Sequence, residues 1–236
     1  KTAYEIPKRD WSSDVCSSDL YELVITEHSG NQRWTRDPYS FLPTVGETDL
    51  YLFGQGNELR IYEKLGAHLR TIDGIGGASF AVWAPNAQRV SVVGDFNRWD
   101  GRCHAMRSMG PSGVWEIFIP GVQQGAHYKY EIRDCFGNIS LKVDPFATYC
   151  EAPSKNASIV WEPRHEWQDA EWLAKRRQSD PWRSPMSIYE VHLGSWRKKS
   201  AHEGLSYREL ADELVKYVSS MNFTHVEFLP VAEHAY

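Results

Sequence analysis

Two apolar runs in this 236-residue chain end in side chains able to do chemistry. His192, Gly194, Ser195 and Trp196 close the first, and Glu233, His234 and Tyr236 close the second. In α/β sheets and barrels the working groups sit at the carboxyl ends of strands, where a Glu-His pair can polarise or orient a substrate hydroxyl. His192, Glu233 and His234 are therefore barrel-mouth candidates. Glu190 and Glu227 lie inside the same runs, and a carboxylate so placed is expected to be a buried, hydrogen-bonded structural group rather than an acid catalyst. The ten Trp and twelve Tyr form a second signal. Many stand beside Gly, Asn or Asp; core and turn packing accounts for most, but flat aromatic faces next to polar groups also suit sugar rings. Phosphate cradles, nucleophile elbows and metalloprotease helices have characteristic motifs, and the sequence contains none of them. Cys16, Cys103, Cys135 and Cys150 form no CxxC pair and have no His at metal-ligand spacing, so reduced thiols and no metal or cofactor are expected.

The elements that must position these residues fall into two kinds. Ser79 to Trp83, Arg89 to Phe96, Val114 to Ile119, Tyr128 to Ile132 and Ser158 to Trp161 are short runs rich in Val, Ile and aromatics, separated by Gly, Pro and Asn. Such spacing predicts an antiparallel, immunoglobulin-like sandwich, with Trp115, Ile117 and Ile119 on the core side of their strand. After a polar, Trp-rich connection with one short helix near Asp169 to Arg177, the period changes. Ser187 to Leu193 and Thr224 to Val231 read as strands around a helix, Ser206 to Ser220. Leu210, Leu214, Tyr217, Val218 and Met221 make that helix's apolar stripe, and Ser206 with Glu209 makes a capping box. A βαβ unit follows, with parallel strands.

The formal net charge is −5, leaving no basic excess for a nucleic-acid partner, and no apolar run reaches the length of about eighteen residues that a membrane span needs. A whole (β/α)8 barrel takes roughly 250 residues, so a barrel and a second module cannot both be complete here. The chain starts at Lys1 without methionine and stops just after an apolar run, so both ends are expected to be cut. The expected organisation is an irregular segment over 1–36, with a low-complexity tract at 10–20 that has the look of an artificial junction; a β-sandwich over 37–163; a linker over 164–185; and the start of a barrel over 186–236.

Pro185-Met186-Ser187-Ile188-Tyr189-Glu190-Val191-His192-Leu193-Gly194-Ser195-Trp196, with Leu205 to Ala211 and Phe223 to Val231, resembles the opening of the catalytic barrel of bacterial 1,4-α-glucan (glycogen) branching enzymes. Asp37 to Phe41, Asp49 to Gly54, Tyr62 to His68, Phe80 to Ala87 and Val93 to Gly101 are similar to that family's N-terminal, glycogen-binding sandwich. The resemblance covers Asp37 to Tyr236. It implies a retaining transglycosylation, in which an α-1,4-glucan segment is moved to a 6-hydroxyl to form an α-1,6 branch. The nucleophile and acid/base carboxylates would come from later barrel strands beyond Tyr236, so none is expected here and the chain alone is expected to be inactive. It also implies glucan contacts from Trp99 and Lys129, and Asn97, in the Trp99 turn, is expected among the carbohydrate-binding residues with them. Leu141 stands where some relatives carry a second Trp. The parent protein is then expected to be cytoplasmic, monomeric when intact, and to use no cofactor. Alternatives are a non-catalytic glucan-binding module, or part of a debranching or trehalose-forming hydrolase of the same superfamily.

Overall fold

Strand β8, Val114–Pro120, shows how the sandwich is built. Alternation sends Ile117 and Ile119 into the space between two sheets, with Trp115 packed against the same core. The opposite side of β8 is covered as well. Val114 packs with Val45, Leu65 and Ala81, and Phe118 meets Phe41 edge-to-face at 4.7 Å. Glu116 is wholly buried there; one carboxylate oxygen accepts bonds from the Thr44 amide and hydroxyl, both 3.0 Å, and Arg107 lies 3.6 Å from the other. A strand buried on both sides loses the clean alternation that sequence reading relies on.

This arrangement belongs to a computed structural model that describes residues 4–5, 22–26, 30–152 and 154–231, divided into two compact units, Lys1–Arg164 and His165–Tyr236. In chain order the first unit contains β1 (Tyr4–Glu5), β2 (Glu22–Thr26), β3 (Gln32–Arg36), α1 (Glu47–Gly54), β4 (Gly66–Ile72), β5 (Ile75–Trp83), β6 (Arg89–Gly94) and β7 (Arg107–Ser108), then β8, β9 (His127–Arg133), β10 (Ile139–Lys142) and β11 (Ser158–Ile159). One antiparallel sheet has the order β4-β5-β8-β7. In the other, β9 pairs with β6 on one edge and with β10 and β11 on the other. Phe80 and Val82 from the first sheet meet Val90, Val92, Tyr128 and Tyr130 from the second, making an all-β sandwich core. Full burial of each such side chain contributes about 1.5–3 kcal/mol.

Residues 1–36 are not simply irregular, as composition had implied. Glu22–Thr26 and Gln32–Arg36 pair antiparallel over five residues, and Tyr4–Glu5 adds to the free edge of β2. ELVIT is a short run of strand formers, Gly30 takes a left-handed φ of +87° at the connection, and Arg36 pairs with Glu22 at 2.6 Å. The tract at 10–20 lies outside the described residues.

The second unit holds α2 (Ala170–Gln178), β12 (Ile188–Val191), α3 (Leu193–Trp196), α4 (Tyr207–Ser220) and β13 (His225–Phe228). β12 and β13 are parallel, with Glu190 opposite Glu227. α4 begins on the Ser206/Glu209 capping box and buries Leu210, Leu214 and Val218; Met221 lies at its C-cap and is exposed. The helix packs on the strand face carrying Tyr189, Val191 and Val226. Glu190 and Glu227 point to the other face and are exposed, so the expectation of buried carboxylates is corrected: one helix can cover only one side of a two-stranded sheet.

Candidate functional site

β6 ends at Gly94, where a Cβ would stand 2.3 Å from the His127 carbonyl oxygen, so only glycine fits. The chain then makes one tight turn, Asp95–Asn97, and passes through Arg98 and Trp99 at φ 55° and 61°. Two consecutive non-glycine residues in the left-handed region cost on the order of 1 kcal/mol each and persist only where surrounding bonds fix them. Asn97 does that fixing. Its Oδ1 accepts the Gly94 N–H at 2.9 Å, its Nδ2 donates to the Val92 carbonyl at 2.8 Å, and the same nitrogen lies 2.8 Å from His104 Nδ1. Asn97 is only 9% exposed and its amide is fully used. Asn97, expected among the sugar contacts, here turns its amide inward and shapes the turn that presents Trp99.

Trp99 is 39% exposed. Its indole N–H donates to Asp95 Oδ1 at 3.2 Å, while Asp95 Oδ2 accepts the His127 amide at 3.2 Å and lies 2.8 Å from His127 Nδ1. Partial desolvation pushes the Asp95 carboxyl up, but the bonds from His127 and Trp99 outweigh it and hold the group below the usual carboxylate range. Along β9, Tyr128 and Tyr130 turn into the core while His127 and Lys129 turn outward. Lys129 donates to Asn156 Oδ1 at 2.5 Å, just before β11. Trp99, Lys129 and Asn156 thus share the outer side of one sheet, with Asp95 and His127 between. Sequence reading missed Asn156, Asp95 and His127. The available signal was the strict alternation of His-Tyr-Lys-Tyr-Glu-Ile, which sends His127 outward beside Lys129. Leu141, also on this sheet, is 53% exposed and offers no ring.

The remaining candidates do not join this face. His192 is exposed, with Nδ1 2.9 Å from Ser195 Oγ, directly after β12. Glu233 and His234 lie outside the described residues. Asp144, buried between the sheets, accepts the Tyr128 and Tyr130 hydroxyls at 2.6 and 3.2 Å and the Phe146 amide at 2.8 Å. Burial raises its carboxyl and pushes both phenols well above their ordinary value, as befits an internal brace. Two open clefts of about 470 and 460 Å³ flank Arg70, whose guanidinium is held by the Ser79 hydroxyl and the Glu63 carbonyl. A ring face beside an ammonium and a carboxamide can hold a neutral polyhydroxylated ligand. It provides no nucleophile with an acid/base partner.

Residues 64–147 match the model of carbohydrate-binding module 48, the isoamylase N-terminal domain. The chain is 51% identical over 98% of its length to a 1,4-alpha-glucan branching enzyme of Rubrobacter xylanophilus, and spans 32% of that protein. It is 51% identical to the branching enzyme of Paramagnetospirillum magneticum over 93% of the chain, and 53% identical to that of Myxococcus xanthus over 91%, covering 30% of each. The chain therefore spans about a third of the length of the curated relatives it matches.

Proposed function

We propose that this chain is the N-terminal part of a 1,4-α-glucan branching enzyme, a cytoplasmic and monomeric glycosyltransferase of glycogen synthesis. The observation that carries the reading is identity of about half the residues, over nearly the whole chain, to proteins bearing that name. On this reading residues 37–163 are the carbohydrate-binding sandwich, 164–185 a linker, and 186–236 the first βαβ of a (β/α)8 barrel. The parallel pairing of β12 with β13 through α4 supports that last assignment. His192, at the carboxyl end of β12, then stands at the barrel mouth, with Glu233 and His234 after β13. The retaining chemistry needs two carboxylates close together, and these come from the remaining two thirds of the protein.

What this chain does in the reaction is hold the glucan. Trp99 stacks on a sugar face, and the Lys129 ammonium and Asn156 amide take hydroxyls beside it, displacing water rather than charge. The measurement is affinity electrophoresis of the 236-residue chain in amylose gels. Trp99→Ala and Lys129→Ala should each weaken retardation several-fold, and undiminished binding in both would refute the assigned face. The catalytic part is checked in the coding sequence past Tyr236, which should bring Asn-His at the third barrel strand and acidic residues at the fourth, fifth and seventh. A native stop codon directly after Tyr236 would leave a glucan-binding module without chemistry.

A further inference from the structure

We infer that Tyr149 and Trp161 form a second sugar-stacking platform on the same face as Trp99, so that one α-1,4-glucan chain spans both. The inference rests on the reading of Trp99 and Lys129 as glucan contacts. Beyond β11 the sheet gains a further extended segment: Cys150 bridges Ser158, the Ile159 amide donates to the Tyr149 carbonyl at 2.9 Å, and the Glu151 amide donates to the Ala157 carbonyl at 2.9 Å. Ser158 and Val160 turn into the core. Alternation therefore sends Ile159 and Trp161 outward, beside Tyr149 and next to His127, which Ile159 opposes in register. The Tyr149 and Trp161 rings lie 5.1 Å apart at 39°, and the Thr148 hydroxyl fixes the backbone by donating to the Trp161 carbonyl at 2.9 Å.

Two rings that served only to pack would bury their faces against each other or against the sheet. Tyr149 is instead 51% exposed and Trp161 39%. Three strand spacings of about 4.8 Å separate the β6 edge, where the Trp99 turn begins, from the segment holding Tyr149, or roughly 14 Å across the face. Lys129 uses one of its three ammonium protons on Asn156, and a Lys155–Glu151 ion pair at 3.7 Å lies in the segment that joins Tyr149 to Asn156, so polar groups follow the route. The tilt between the rings suits an α-1,4-linked chain, in which each glycosidic bond turns the next sugar face. Leu141, on the same edge of β9 as β11, offers no ring, and the Tyr149–Trp161 pair beyond β11 supplies the second aromatic surface across the sheet from Trp99.

Affinities of the full chain for maltotriose and for maltoheptaose, by titration calorimetry, separate the possibilities. Trp161→Ala and Tyr149→Ala should each weaken maltoheptaose binding about five- to tenfold while leaving maltotriose, held at Trp99, unchanged. Trp161→Phe, which keeps an aromatic face and the packing, should restore most of the loss; its near-native affinity together with an unaltered circular dichroism spectrum separates lost stacking from lost folding. Wild-type maltoheptaose affinity in both alanine variants overturns the inference. If Trp99→Ala weakens both ligands while those variants do not, the Trp99 face stands without the second platform. If Trp99→Ala weakens neither ligand, the underlying reading falls.

Discussion

Asn97 and Trp99 stand two residues apart in one turn and have opposite duties. The amide of Asn97 is consumed by Val92, Gly94 and His104, so Asn97→Ala removes support from two strained residues and leaves the Gly94 N–H and Val92 carbonyl unpaired in the interior. Each buried group left unsatisfied costs about 1–3 kcal/mol. Denaturant unfolding of Asn97→Ala should show a loss of about 2–3 kcal/mol, with glucan binding weakened through the displaced indole. An unchanged midpoint would return Asn97 to the ligand contacts. Trp99→Ala should behave in reverse, losing binding with little loss of stability, because its side chain contributes one long bond to Asp95 at the surface. The order Asn-Arg-Trp in a turn is visible in the sequence. Which of the two points outward is decided by the Gly94 backbone, whose close approach to His127 no spacing rule expresses.

Helix α4 was readable in advance because its signals are local: a capping box, one apolar stripe and 14 residues of unbroken period. The sandwich was readable only in part. β5, β6, β8, β9 and β11 carry the apolar and aromatic runs, whereas β4 mixes His68, Arg70 and Thr71 with Leu69, and β10 is exposed along its length. Edge strands bury one side at most and draw their stability from a neighbour's backbone, which leaves little trace in composition. The cap of α4 makes its own prediction. Lys199 beside Glu209, together with the Ser206 amide and hydroxyl, holds the Glu209 carboxyl down to about 2. A carboxyl depressed in the folded state stabilises above its ordinary value of 4.5, and that contribution is lost as pH falls towards 2. Helical circular dichroism and unfolding midpoints should decline through this window. Glu209→Gln should remove that part of the pH dependence, and Ser206→Ala should cost about 1 kcal/mol at neutral pH.

At the scale of the whole chain the two units have separate cores. The sandwich core is built on Phe80, Ile117, Tyr128 and Tyr130, and that of the second unit on Val191, Leu214 and Val218; among the described residues none belongs to both. Cooperative unfolding follows shared buried contacts, so separate cores predict separate transitions. Phe80→Ala should cost about 3–5 kcal/mol in the transition followed by tyrosine and near-ultraviolet signals of the sandwich. Leu214→Ala should cost about 2–5 kcal/mol in the transition followed by helical ellipticity, since α4 is the longest helix among the described residues. The second unit should melt first: its two strands leave Ile188, Glu190, His225 and Glu227 facing solvent on one side, whereas the sandwich covers both of its inner sheet faces. A single calorimetric transition displaced equally by both substitutions would show that the units fold as one. Two transitions, each moved by only one substitution, would establish that the two units fold independently of one another.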